Sequence, residues 1–226
     1  MPSIIQQAQA VAVDNVTLTG VTAGNTLLGS FSNPTPGSPT ISGVSGGGTW
    51  AQVPGVYSND AGAGFTGDFW TVASATGGST TATVTWSAGT PDHNWLIELS
   101  SGVVLDTAAT GGNFNNATTL LGIPCSDPGA ILFEDACVSG VSTGFQSPWT
   151  SDGTPNGNPT GHYAPGAAGT YAPTITAGHN TVIAWGASFK TAAAVPTYDV
   201  NRPWLADVIA TPPIANTELR DASAWF

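Results

Sequence analysis

The sequence predicts an all-β fold: a jelly-roll-like antiparallel β-sandwich with an extended C-terminal arm. Three observations carry this. Glycine (29) and proline (17) punctuate the chain at short intervals, and such breaks bound strands more readily than helices. β-Branched residues dominate between the breaks, which suits a pleated surface. Apolar and hydroxyl residues alternate with period two, whereas helical periodicity is nearly absent.

The elements follow in order. Strands are expected at 16–19, 26–31, 49–56, 68–73, 80–87, 94–101, 130–139, 181–189 and 204–209. The clearest is 80–87, where Ala82, Val84 and Trp86 alternate with Thr81, Thr83 and Thr85, giving one apolar and one hydroxyl face. In 94–101, Trp95, Ile97 and Leu99 share a face and Glu98 lies on the other. In 181–189 the same spacing joins Ile183, Trp185, Ala187 and Phe189. Turn chemistry separates these runs at Thr22-Ala23-Gly24-Asn25, Thr76-Gly77-Gly78-Ser79, Asp127-Pro128-Gly129 and Thr176-Ala177-Gly178-His179. Two stretches, 32–48 and 142–173, are expected to be long loops. The second carries Phe145, Trp149, Tyr163 and Tyr171, which favours an ordered loop with a packing or binding role.

Charge divides the chain. The first 189 residues hold no lysine or arginine, and Lys190, Arg202 and Arg220 all follow. The formal net charge is −11. The boundary is placed there: a sandwich domain over 1–190 and an arm over 191–226. A body without cations offers no track for phosphates, so a nucleic-acid partner is not expected. Neither is an anionic membrane surface. The body is expected to form no internal salt bridge. Charged residues are only 8% of the chain, against roughly 25% in an average globular protein. With 41% hydrophobic residues and eight tryptophans, a folded core is the better reading than disorder. No leader with a basic n-region and no transmembrane run is visible. An exterior-type composition without an export signal suits a virus particle protein made in the host cytoplasm.

Several segments, taken in order, resemble a group of phage and bacterial lectin-like β-sandwich proteins. They are Thr22-Ala23-Gly24-Asn25-Thr26-Leu27-Leu28, Gly48-Thr49-Trp50, Phe69-Trp70, Ala75-Thr76-Gly77-Gly78-Ser79-Thr80-Thr81 and Glu98-Leu99-Ser100-Ser101-Gly102-Val103. Ala184-Trp185-Gly186-Ala187-Ser188-Phe189-Lys190 is similar to that group's closing strand. The likeness covers about 16–190; it departs in 142–173 and has no counterpart for the arm. It implies a jelly-roll sandwich encoded among phage head and tail genes. It speaks to fold, and fold does not fix function.

Sites of chemistry are sparse, and no enzyme activity is expected. Gly-x-Ser-x-Gly occurs at Gly43–Gly47 and Gly140–Gly144, without the following helix that a nucleophile elbow needs. Glu134 and Asp135 are adjacent on a strand and point to opposite faces, unlike the facing carboxylates of a glycosidase. The acids are therefore expected at surfaces and edges. His93, His162 and His179 are expected as solvated loop residues without metal spacing. Cys137 reads as a buried strand thiol and Cys125 as a loop thiol, though a disulfide between them stays open. Asp152-Gly153-Thr154-Pro155-Asn156-Gly157-Asn158 starts like a calcium loop, but Tyr163 stands at the twelfth position where glutamate is required. No cofactor or metal is expected.

The reading is a non-enzymatic structural protein of a bacteriophage virion, in capsid decoration or on the tail surface. Its arm, through Trp204, Leu205, Trp225 and Phe226, would dock on other virion structural proteins or a second copy. The arm itself is expected to hold one or two helical turns within 216–226. The alternative is a carbohydrate- or receptor-binding module using Trp149, Tyr163 and Tyr171, which would need a concave aromatic face beside hydrogen-bonding side chains.

Overall fold

A computed structural model describes residues 1–60, 64–111, 114, 116–176 and 182–194. The strand expected at 204–209, the helical turns within 216–226, His179 and the four arm residues Trp204, Leu205, Trp225 and Phe226 lie outside the described residues. Residues Met1–Ala192 form one compact unit.

The described chain is all-β, as expected, with strands β1 (Ile4–Val11), β2 (Asn15–Val21), β3 (Asn25–Asn33), β4 (Ile41–Ser45), β5 (Ala51–Gln52), β6 (Ser58–Asp60), β7 (Phe65–Val72) and β8 (Gly78–Trp86). They are followed by β9 (His93–Ser101), β10 (Val103–Thr110), β11 (Ile123–Cys125), β12 (Ile131–Val138), β13 (Thr150–Gly153), β14 (Thr160–Tyr163), β15 (Gly169–Tyr171) and β16 (Val182–Thr191). Two large antiparallel sheets form the sandwich. One has the order β1-β9-β3-β7-β5, with β6 also on β7; the other runs β10-β16-β12-β14-β13. Most neighbours are not consecutive in the chain, so connections cross between sheets, as in jelly-roll topologies. Gly102, in the left-handed region at φ 69, turns the chain from β9 into β10 of the opposite sheet.

Hydrophobic periodicity explains the layering. The odd-numbered Trp95, Ile97 and Leu99 of β9 meet Phe133 of β12 and Ile183, Trp185, Ala187 and Phe189 of β16 in the inter-sheet core. Trp95 and Phe133 pack edge-to-face at 5.8 Å between ring centroids. The outer faces are covered as well. A small sheet, β2-β8-β4, places Val16, Leu18 and Ala82 over Leu27, Val72 and Leu96. On the far side, β11-β15 and the loops around Phe145 and Trp149 cover Leu132, Ala136, Val182 and Ala184. Hence β3 and β12 are buried on both faces, and so is most of β9, where alternation alone predicts one polar face.

Other differences have local causes. Of 49–56 only β5 is a strand, because Pro54 and Gly55, at φ 78, end it. The expected loop 32–48 contains β4, which pairs with β8. The expected loop 142–173 contains β13, β14, β15 and a 3-10 turn, Pro155–Gly157. Strand β1 carries three glutamines in its eight residues, which hid its pattern; two of them reach across to β13 and β14. Among the described residues, no helix is long and apolar enough to cross a membrane.

Candidate functional site

A polar chain lies buried between the two large sheets. It begins at His93, the first residue of β9, whose ring is fully enclosed. Because inward positions on β9 are odd-numbered, the side chain that follows the Trp95 series toward the strand start is this histidine. Strand β12 places Asp135 and Cys137 inward by the same alternation, and β3 contributes Ser30 and Ser32.

The hydrogen bonds join the sheets. His93 Nε2 meets Asp135 Oδ1 at 2.8 Å, and His93 Nδ1 meets Asp92 Oδ2 at 3.0 Å. Ser30 donates to Asp135 Oδ2 at 2.6 Å and accepts from Trp185 Nε1 at 2.8 Å. Ser32 Oγ lies 2.9 Å from His93 Nδ1. Asp92 also accepts from the side-chain amides of Asn156 and Asn158, from the 3-10 turn and its end. Cys137 Sγ lies 3.9 Å from Asp92 Oδ2. The chain thus runs from the exposed Asn156 into the fully buried Ser30.

Burial alone would push the His93 imidazole down, but the Asp135 and Asp92 carboxylates outweigh it and hold it up at about 9. Both ring nitrogens then carry protons and donate to carboxylates. Ser32, His93 and Asp135 stand in the order of a hydrolytic triad, yet an imidazolium has no lone pair to accept a hydroxyl proton. What the arrangement does is clamp two sheets together through satisfied polar groups, with the imidazolium as the buried cation.

Several expectations are corrected here. The body does form an internal ion pair, because His93 supplies a cation to Asp92 and Asp135; at the domain's end Lys190 pairs with Asp106 at 2.9 Å, and His162 Nδ1 lies within hydrogen-bond reach of Asp152 at 2.7 Å. His93 is a buried strand residue and His162 lies on β14, so neither is a solvated loop residue. Glu98, Glu134 and Asp135 are fully buried rather than at surfaces or edges: Asp135 faces the other large sheet, while flanking segments cover Glu98 and Glu134. Glu98 accepts from Gln6 Nε2 (2.5 Å), Thr22 N (2.8 Å) and Asn25 Nδ2 (2.6 Å). Burial would raise its carboxyl, but these donors hold it below the ordinary range. Burial pushes Glu134 well above that range, against one backbone donor, Leu121 N at 3.1 Å. Cys125 is buried on β11, and both cysteines are free thiols.

The remaining sites are placed as follows. Ser45 ends β4, and Ser142 accepts from Gly144 N at 3.1 Å; no helix follows either one. The calcium-like oxygens do not converge. Asp152 holds Gln7 and His162, while Asn156 and Asn158 turn their amides to Asp92. Trp149, Tyr163 and Tyr171 are brought together. Trp149 packs against Phe145 (5.8 Å) and Tyr163 (5.7 Å), and Tyr163 against Tyr171 (5.5 Å). Trp149 is only 5% exposed, while both tyrosines are half-buried.

Comparison with protein-family models, curated proteins and solved structures finds no match. The functional reading therefore rests on the residues themselves. The polar chain had a signal in the sequence: Glu134 and Asp135 interrupt an eight-residue run, Ile131–Val138, that is otherwise apolar. In a chain so poor in charge, acids inside such a run mark a buried network.

Proposed function

We propose that this protein is a non-enzymatic structural component of a bacteriophage particle, on the capsid or tail surface, assembling through its C-terminal arm. The observation that carries the reading is the absence of lysine and arginine from the first 189 residues. A surface of one charge sign keeps copies apart before assembly and repels phosphate-rich partners. The sandwich adds support: its polar groups are turned inward into hydrogen-bonded networks that link the sheets, which favours a rigid shell component. The likeness to phage sandwich proteins points the same way. An antibody raised against the folded protein should label purified particles in electron micrographs. Particles that carry no label, from lysates that contain the protein, would remove the reading.

A second reading is favoured by one observation, the row of rings from Trp149 to Tyr171. Tyr163 and Tyr171 keep partial exposure, and clustered, partly exposed aromatics suit a sugar face. Glycan-array binding that is lost in Tyr163→Ala and Tyr171→Ala would support it.

A further inference from the structure

We propose that Asp92, His93 and Cys137 form a binding site for one divalent transition-metal ion of the zinc class. The three residues offer a carboxylate oxygen, an imidazole nitrogen and a sulfur, all within 4.8 Å of one another, and all three are buried. Oxygen, nitrogen and thiolate together form the donor set of a borderline-soft ion such as zinc, not of calcium or magnesium. Spacing along the chain conceals the site, because Asp92 and His93 stand at the start of β9 and Cys137 on β12 of the facing sheet.

The ligand atoms stand within a few tenths of an ångström of the spacing of a tetrahedral ion. Bonds of about 2.0–2.1 Å to nitrogen and oxygen and about 2.3 Å to sulfur place ligand atoms roughly 3.3–3.6 Å apart. Here Nδ1 of His93 lies 3.0 Å from Asp92 Oδ2, and Cys137 Sγ lies 3.9 Å from the same oxygen. Ser32 Oγ, 2.9 Å from Nδ1, stands ready as a fourth, neutral oxygen.

The surrounding groups are those that orient metal ligands. His93 presents its other nitrogen, Nε2, to Asp135 at 2.8 Å, and Ser30 in turn holds Asp135 at 2.6 Å. A carboxylate behind a ligating imidazole fixes its orientation and raises its basicity. Asn156 and Asn158 fix the Asp92 carboxylate in the same way. Binding displaces one proton from His93 Nδ1 and one from Cys137 Sγ. The bonds formed are metal–nitrogen, metal–sulfur and metal–oxygen, and the two protons pass to solvent. The Pro155–Gly157 turn carries the exposed Asn156, which is bonded to Asp92.

The test uses the full chain, unfolded in denaturant and refolded with zinc or cobalt(II), then freed of loose metal by gel filtration. Elemental analysis should give one metal per chain, and the cobalt form should show thiolate-to-cobalt charge-transfer absorption. Cys125→Ser should keep that absorption and Cys137→Ser should lose it. At hundredfold excess over Kd, zinc should raise the melting midpoint of the wild type by about 5–10 °C. This arm needs no variant to fold. Retention of less than a tenth of an equivalent by the refolded wild type, or a charge-transfer band that follows Cys125, would overturn the proposal.

Discussion

Asp68 should be a residue whose ionisation weakens the protein. It lies on β7 with its carboxylate buried. Gln52 Nε2 (2.7 Å) and Trp70 Nε1 (3.0 Å) donate to Oδ2, while Oδ1 has no hydrogen-bond partner among the described residues. Burial lifts the carboxyl from 3.8 to about 6, outweighing both donors. A carboxyl that is harder to ionise in the folded state binds more protons there than in the unfolded chain. Stability therefore falls as pH rises from about 4 to 6 and is flat beyond. At 1.36 kcal/mol per pH unit, ionised Asp68 costs about 3 kcal/mol above that window. Asp68→Asn keeps an acceptor for Gln52 and Trp70 and removes the charge, at the expense of an amide without a partner. Urea unfolding at pH 5 and pH 8 measures the balance. The difference between variant and wild type should shift in the variant's favour by about 1–1.5 kcal/mol between those pH values, because only the last unit of the pH 4 to 6 window lies above pH 5. Parallel stability curves for the two proteins would refute the reasoning.

Glu98→Ala should cost about 2–5 kcal/mol in urea unfolding, because Gln6, Thr22 and Asn25 lose one shared acceptor. The carboxyl is held below its ordinary range, so its contribution is present above about pH 4.5 and fades as pH falls through the folded value. The gap between Glu98→Gln and wild type should narrow in acid. Gly67→Ala should lower stability by about 1–3 kcal/mol or more and alter the near-ultraviolet circular dichroism. A Cβ there would stand 2.2 Å from Trp185 Cε3. Trp149→Ala should cost about 3–5 kcal/mol by opening the outer core around Phe145, whereas Tyr171→Ala, at a half-buried position, should cost much less.

The sandwich was legible where strands follow simple alternation, as at Ala82 and Val84, because period two survives when one face meets solvent. It was less legible at β1, whose glutamines bond buried partners and so imitate a solvated segment. The strands within 142–173 are three or four residues long, too short to carry a periodic signal. The candidate site was not legible from spacing. Asp92 and His93 meet Cys137 and Asp135 only because β9 and β12 face each other across the core. Alternation did fix one part of it: Asp135 and Cys137 share a face with Phe133, and that face proved to be the inter-sheet one.

The most direct test of assembly through the arm is light scattering after size exclusion, on the full chain and on a chain stopped after Ala192. The full chain should form a defined oligomer and the shortened one a folded monomer. Two folded monomers of equal stability would contradict it.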